Sequence, residues 1–343
     1  MMKVLVTGGT GFLGRHLATR LVRQGDNVRV LARKTSSIDH LPQGVEIVYG
    51  DLKDKASLEM AVKGADVVYH TAAAMRGSLQ EYEQSTVNGT ARMLELSLQT
   101  GVKRFVHISS IIVYQVYELE KNAVVDENCP YVRRPEQYGP YTRSKIQAEK
   151  LAGRFHKKGL PVVVVRPGLI YGPYSKVLFP HVGYSLGHGL FAIIGDGDNL
   201  LPLTYVENTV EAILLAGAKD EAIGQAYHIV DGVEVTQRVY LKRYMAATGQ
   251  NFIVTTLPLS LLFGLASIIE QLRRFGLCNS ASLPSKYGLA SKWKSLRFDT
   301  SKAQKDLLWH PSIGLEEGLR RTFEWYMSQK VSVQPIKALK ITR

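Results

Sequence analysis

The sequence predicts an α/β protein built on a doubly wound parallel sheet, and three observations carry that expectation. Short runs of β-branched residues alternate with helical patterns through the first half of the chain, the rhythm of βαβ units. Those runs are apolar almost without interruption, as strands covered on both faces are. The first of them, Val4–Val6, passes through Thr7-Gly8-Gly9-Thr10-Gly11-Phe12-Leu13-Gly14 straight into a helical pattern.

Phe12 to Gln24 reads as a helix, with Leu13, Leu17, Leu21 and Val22 on one face. Asn27–Leu31 and Glu46–Val48 are the second and third strands, the latter followed by Gly50-Asp51-Leu52. Val67–His70 is the fourth, Val87 to Leu98 a helix, and Phe105–Ile108 the fifth strand. A helix follows Tyr141 and a strand occupies Val162–Val165. After Gly172-Pro173 loops, glycines and shorter helices take over to about residue 330. This predicts a dinucleotide-binding domain over 1–172, its core returning in part near 202–230. A smaller, mixed, discontinuous substrate lobe is expected over 173–330 and a frayed basic tail over 331–343.

Composition narrows the classes. Hydrophobic residues make up 45% and charged residues 21% of 343 positions, which excludes a disordered, collagen-like or disulfide-stapled chain. Cys129 and Cys278 are far apart and in no metal-ligand spacing; reduced thiols in a cytoplasmic protein are expected. The histidines, His181 and His188 among them, show no metal spacing either. Met1-Met2 leads at once into Lys3-Val4-Leu5-Val6, too short for the apolar core of a signal peptide. The net charge is +13, and from Glu270 onward 14 Lys/Arg face 6 Asp/Glu. No zinc-finger, helix-turn-helix or basic-aromatic pattern accompanies that charge, so nucleic acid is not an expected partner.

The glycines at 8, 11 and 14 carry a specific chemistry. The first permits a sharp turn, the second lets a pyrophosphate approach the backbone, and the third lets helix and strand pack tightly. The helix N-terminus adds unpaired N–H groups and a positive dipole. Strand before and helix after supply the context that a bare glycine repeat lacks: a Rossmann-type dinucleotide site. The second strand runs into Ala32-Arg33-Lys34 with no carboxylate. Arg33 can grip a 2′-phosphate bidentately, so NADP is expected over NAD. Asp51 and Leu52 suit the adenine edge.

Tyr141 and Lys145 stand at i and i+4, on one helix face. A lysine beside a phenol favours phenolate and lowers its pKa from about 10, and a tyrosine so tuned can exchange a proton with a carbonyl oxygen. The spacing occurs four times, also at Tyr49/Lys53, Tyr117/Lys121 and Tyr326/Lys330. Only Tyr141 opens a helix between two core strands, downstream of a strand ending in Ser109-Ser110. There the Ser110 hydroxyl can share the substrate oxygen.

With these residues the chain resembles an extended short-chain dehydrogenase/reductase. Thr7–Gly14, Gly50-Asp51-Leu52, His70-Thr71-Ala72-Ala73, Ser109-Ser110 with Val113-Tyr114, Tyr141/Lys145 and Arg166-Pro167-Gly168 with Tyr171-Gly172-Pro173 match that family's landmarks in order, over about residues 3–327. The resemblance implies that Ser110 orients the substrate oxygen, that Tyr141 is the acid/base, and that Lys145 also bonds the nicotinamide ribose. It implies cofactor contacts from Gly8, Thr10, Gly11, Phe12, Leu13, Gly14, Ala72, Ala73, Pro167 and Gly168. Ser110 is preferred to Ser109 because it lies three residues before Val113-Tyr114. One position departs: the family often has Asn where Thr86 stands.

Nucleotide-sugar members commonly carry an Arg-Asp pair that meets a diphosphate; the corresponding pair here is Leu201-Pro202. Asn199-Leu200, the run Thr204-Tyr205-Val206-Glu207-Asn208, and Phe298-Asp299-Thr300-Ser301-Lys302-Ala303 with Trp309-His310-Pro311 are similar to the 3β-hydroxysteroid dehydrogenase branch. An oxidoreductase interconverting a secondary alcohol and a ketone on an apolar, steroid-like or alkyl molecule is therefore expected. The alternative is a nucleotide-sugar epimerase or dehydratase. A redox-sensing binding protein on this fold has no need of the Ser110/Tyr141/Lys145 set. Phe252 to Ile269 is uncharged but broken by Pro258, so it is not a membrane span. Leu259 to Ile269 reads as an amphipathic helix near the pocket mouth, beside the basic stretch Arg273, Arg274, Lys286, Lys292, Lys294 and Arg297. It either packs on the core with a solvated basic face, the reading the sequence favours, or makes peripheral contact with an anionic bilayer. A homodimer stays open.

Overall fold

The computed structural model describes residues 1–275 and 286–333. Seven parallel strands form the central sheet in the spatial order Ala226–Ile229, Val162–Pro167, Arg104–Ile108, Val67–His70, Lys3–Thr7, Asn27–Ala32 and Glu46–Tyr49. Lys3–Thr7 pairs with Asn27–Ala32 on one side and Val67–His70 on the other, so the direction of winding reverses there. At such a switch point a crevice opens beyond the carboxyl ends of the strands.

Successive side chains along the buried strands point to opposite faces of the sheet, as its pleat requires. Val4 and Val6 enter the cluster built by the helices Phe12–Arg23 and Val206–Ala218, together with Ala303 and Leu307. Leu5 points the other way, into the cluster of Lys55–Val62, Gly89–Gln99 and Pro140–Lys157. Val106 and Phe105, and Val163 and Val162, divide in the same manner. Each fully buried aliphatic side chain of these strands contributes about 1.5–3 kcal/mol.

Two helical stretches escape the periodicity. Lys55–Val62 is capped by Asp54, whose side chain accepts from the N–H groups of Ala56 and Ser57. The helix expected over 87–98 begins earlier, at Leu79, where the Ser78 hydroxyl accepts the Glu81 N–H at 3.2 Å. It continues through a π-helical segment, Tyr82–Asn88, into Gly89–Gln99. The run from Leu79 to Thr86 is mostly polar, so no apolar stripe marks it.

Beyond the sheet lie a three-stranded mixed sheet, Tyr184–Gly187, Leu190–Ile194 and Ile253–Leu257, and two short parallel pairs. One joins Leu203–Tyr205 to Leu169–Tyr171, the other Arg297–Phe298 to Val124–Val125. The Thr204–Asn208 run is a structural joint. Buried Asn208 donates through Nδ2 to Asp231 (3.0 Å) and to the Ile313 carbonyl (2.9 Å), and its Oδ1 accepts the Ile313 N–H at 3.0 Å. Asp231 also accepts from the Tyr205 N–H at 2.8 Å and the Thr204 hydroxyl at 3.1 Å. Burial pushes the Asp231 carboxyl up to about 6, against these hydrogen bonds.

The amphipathic helix runs over Leu259–Arg274. Leu262, Phe263 and Ala266 pack inward with Leu289 and Trp293, while Leu261, Leu265, Ile268 and Leu272 stay exposed at 55, 48, 56 and 38%. None of its described residues lines the main cavity; Leu259 and Phe263 border a second one, which shares Lys294 with the first. Among the described residues no helix is long and apolar enough to cross a membrane. Cys278 and residues 334–343 of the expected tail lie outside the described residues.

Replacing Asn208 by Ala leaves the Asp231 carboxylate and the Ile313 N–H and C=O short of partners. The expected loss is about 2–4 kcal/mol, read as a lower urea midpoint at unchanged slope.

Candidate functional site

The glycine loop closes on itself where strand Lys3–Thr7 ends. Gly8 holds φ at +72°, a conformation open to glycine, and its carbonyl accepts the Gly11 N–H at 2.9 Å. A Cβ on Gly14 would stand 2.2 Å from the Gly8 carbonyl oxygen, so only glycine lets the helix pass this close. The helix Phe12–Arg23 starts at Gly11 with no side-chain cap and no acidic residue in its first turn. Its leading N–H groups are left for an anion, and these residues fit a dinucleotide pyrophosphate.

One cavity of about 850 Å³ collects every site residue singled out above. It is lined by Gly8, Thr10, Gly11, Phe12, Leu13, Gly14, Arg33, Asp51, Leu52, Ala72, Ala73, Ser110, Tyr141, Lys145, Pro167 and Gly168. Of the other Tyr/Lys pairs, Tyr117 and Lys121 border the second cavity. Tyr49 is exposed, and the Tyr326 hydroxyl meets Tyr244 at 3.3 Å.

Pro140 occupies the first turn of the helix Pro140–Lys157, where a missing N–H costs nothing. Tyr141 and Lys145 follow on one face. Lys145 is buried and its Nζ donates to the Ile108 carbonyl at 2.8 Å; it stands 5.9 Å from the centre of the Tyr141 ring. The sequence reading has the lysine lowering the phenol pKa, and the structure differs. Burial pushes the Tyr141 phenol up to about 12, Tyr82 adds to this, and only Ser110 eases it downward. Burial likewise pushes the Lys145 ammonium down to about 8. The lysine gives its hydrogen bond to backbone rather than to the phenol, and loss of water sets the direction of the phenol's shift.

Ser110 opens a 3₁₀ turn, Ile111–Val113, and its Oγ accepts the Ile112 N–H at 3.3 Å. Its neighbour Ser109 also lines the cavity, with a buried hydroxyl that has no partner among the described residues. Burial alone makes Ser109 notable, and sequence spacing gives no hint of it. Thr86, the departure from the family pattern, keeps a polar contact, in which its Oγ1 accepts the Ala74 N–H at 2.9 Å. It thereby ties the π-helical segment to the loop after Val67–His70. At that strand's end, His70 bonds the Thr7 hydroxyl at 2.8 Å and the Thr90 hydroxyl at 2.9 Å. Burial first, and the Lys145 charge second, push it down to about 3, so the ring is neutral.

One turn beyond Lys145, Glu149 forms a buried ion pair with Arg166 of the strand Val162–Pro167. Tyr131 donates to Glu149 at 2.6 Å, and Arg166 also donates to the Tyr114 hydroxyl. His228 contacts that hydroxyl through Nε2 and the Asp299 carbonyl through Nδ1 at 3.1 Å. A carbonyl only accepts, so Nδ1 carries the proton, Nε2 is the acceptor, and Tyr114 donates to it.

Arg33 is exposed at the cavity rim. Asp51 accepts the Lys53 N–H at 2.9 Å, so part of its carboxylate serves its own turn. The remaining wall is largely apolar, including Ile112, Val116, Leu200, Pro202, Leu296 and Phe298. Sequence reading missed three charged members, Arg76, Glu81 and Lys294, which also line it; of the two cations among them, Lys294 is only half-exposed. It lies far along the chain and in no motif.

These features define a dinucleotide-dependent enzyme of the short-chain dehydrogenase/reductase class, with a nicotinamide adenine dinucleotide as cofactor. The chain belongs to the NAD-dependent epimerase/dehydratase family, whose model matches residues 4–230. A 3β-hydroxysteroid dehydrogenase/decarboxylase isoform of Arabidopsis thaliana is 31% identical, the match covering 96% of this chain and 81% of that protein. A 2-alkyl-3-oxoalkanoate reductase of Stenotrophomonas maltophilia is 30% identical, with coverage of 93% and 98%. Among solved structures, the dTDP-glucose 4,6-dehydratase DesIV of Streptomyces venezuelae, with NAD bound, matches at a TM-score of 0.76. Its identity is 25%, over 98% of this chain and all of the other.

Proposed function

We propose that the protein reduces a ketone, or oxidises the corresponding secondary alcohol, on an apolar substrate, with NADP preferred. The observation that carries this is the apolar wall, Pro202 included, around a cavity that also holds Ser110, Tyr141 and Lys145. Relatives named for 3-oxoalkanoate and 3β-hydroxysteroid chemistry support it. The named sugar-nucleotide dehydratase keeps the epimerase/dehydratase alternative in view.

When bound, the nicotinamide supplies or accepts the hydride. In reduction, the Ser110 hydroxyl holds the substrate oxygen and Tyr141 gives that oxygen its phenolic proton. With a pKa pushed up to about 12 the phenol keeps its proton through the neutral range. Lys145, held by Ile108, contributes positive charge below its pKa of about 8. The 2′-phosphate of NADP falls to Arg33, for which Arg bidentate geometry is suited.

A substrate panel of steroids, alkyl ketones and nucleotide sugars, followed by NADPH absorbance, tests the reading. Micromolar binding of UDP-glucose with no turnover of apolar ketones would sink it. Tyr141→Phe is expected to lower turnover about 10²–10⁴-fold while dinucleotide binding persists. Reduction by the unaltered enzyme should be flat in pH below about 8 and fall above it, as Lys145 loses its proton. Alcohol oxidation, which needs the phenolate, should rise with pH.

Arg33→Ala should weaken NADPH roughly 10-fold or more relative to NADH, the scale of one charge-assisted contact. Dissociation constants from fluorescence titration decide it; equal losses reduce Arg33 to a solvated loop residue.

We also propose that the outer face of Leu259–Arg274 rests on an anionic bilayer. Its exposed Leu261, Leu265, Ile268 and Leu272 recur every three or four residues, and residues 271–298 carry six Lys/Arg and no acid. Apolar stripe and cationic flank together suit an acidic lipid surface. The chain should float with phosphatidylserine-containing vesicles, less so at high salt, and not with phosphatidylcholine alone. The triple variant Leu261→Ser, Leu265→Ser, Ile268→Ser should abolish flotation; if it instead splits a dimer and lipid has no effect, the stripe is a chain–chain interface.

A further inference from the structure

We infer that Lys294 is the substrate-side anion anchor of the main cavity, holding a carboxylate carried by the ketone. The inference rests on the ketone-reductase reading above. Lys294 follows the helix Lys286–Trp293 and precedes the strand Arg297–Phe298, so Leu296 and Phe298 reach the same wall. It is only half-exposed. Its Nζ donates to the Tyr117 carbonyl at 2.8 Å, next to Val116 of the wall. An ammonium has three N–H donors, and this is its one hydrogen bond among the described residues. No carboxylate among them lies within ion-pair distance of it; Glu120 acts on it only from farther away. A cation taken partly out of water and left unpaired costs free energy unless an anion arrives.

The other cations lining the cavity are placed differently: Lys145 is buried beside Tyr141, with its Nζ on the Ile108 carbonyl. Arg33 and Arg76 are both exposed, and Arg33 stands with the glycine loop and Asp51 at the strand ends. Lys294 is the half-buried one; it lines the wall with Val116, Leu200, Leu296 and Phe298 and also borders the second cavity, as does Tyr117, whose carbonyl accepts from its Nζ. A single compact ammonium suits one negative charge. A sugar diphosphate carries two and is commonly gripped by an arginine fork, which this wall does not offer. The chemistry that fits is an apolar body with one ionised acid group: an oxo acid rather than a neutral ketone or a nucleotide sugar.

The test compares a long-chain 3-oxo acid with its methyl ester, using the full chain and NADPH. The unaltered enzyme should prefer the acid. Lys294→Gln and Lys294→Ala should lower the acid-to-ester ratio of kcat/KM by roughly 10–100-fold, chiefly through KM, and Lys294→Arg should restore part of it. Calorimetric titration with dodecanoate, which cannot react, should show binding that Lys294→Gln loses and Arg76→Ala keeps, with thermal melting confirming that both variants fold. An unchanged ratio, or equal losses for acid and ester, overturns the inference and leaves Lys294 as packing. Loss of UDP-glucose binding in place of dodecanoate binding also overturns it. If the unaltered enzyme reduces neither acid nor ester, the ketone-reductase reading itself falls; if it reduces the two equally well, only the role of Lys294 does.

Discussion

The buried ion pair between Glu149 and Arg166 is the contact on which the rest of the site depends. Glu149 sits on the helix that carries Tyr141 and Lys145, and Arg166 on the strand Val162–Pro167. Through Tyr114 the pair reaches the segment that follows Ser110. Through His228 it reaches the edge strand Ala226–Ile229 and the Asp299 carbonyl. Although burial opposes it, Glu149 keeps the Arg166 guanidinium charged. Breaking one side of such a pair typically costs about 3–5 kcal/mol, because the other charge is left in a dry interior. Its value here lies in specificity: the geometry can be satisfied only if helix, strand and loop are all in register.

The strand ends are fixed by a second set of polar contacts. His70 spans Thr7 and Thr90 as a neutral ring, and Lys145 fastens on the Ile108 carbonyl. Both are buried, and in both burial sets the protonation. That same dryness keeps the Tyr141 phenol protonated, so the electrostatics that shape the site come less from a tyrosine–lysine attraction than from exclusion of water. A lysine that must also hold the backbone cannot give its full field to the phenol.

The apolar side of the cavity is built in a different part of the molecule. The Thr204–Asn208 run, which in sequence points to one branch of the family, serves packing: Asn208, Asp231 and Ile313 join three segments distant along the chain. The apolar wall of the cavity comes from Ile112, Val116, Leu200, Pro202, Leu296 and Phe298. These residues share no local motif; the short pairing of Arg297–Phe298 with Val124–Val125 brings in Phe298 from the far end of the chain.

The sequence by itself determined the sheet, the glycine loop and the pairing of Tyr141 with Lys145, because each rests on local rules, and it set Ser110 beside them through its likeness to the family pattern. Runs of β-branched residues, the demand for φ above zero at Gly8, and i to i+4 proximity on a helix act within a few residues. The mostly polar stretch from Leu79 to Thr86 lay beyond those rules, since its helix depends on a Ser78 cap and on packing rather than on an apolar stripe. The tertiary structure alone decided three things: that burial overrides lysine at Tyr141, that Ser109 is left without a partner, and that Lys294 enters the cavity. Each depends on how much water is removed around a group by segments distant in sequence. Desolvation is a property of the assembled volume, and no spacing along the chain encodes it.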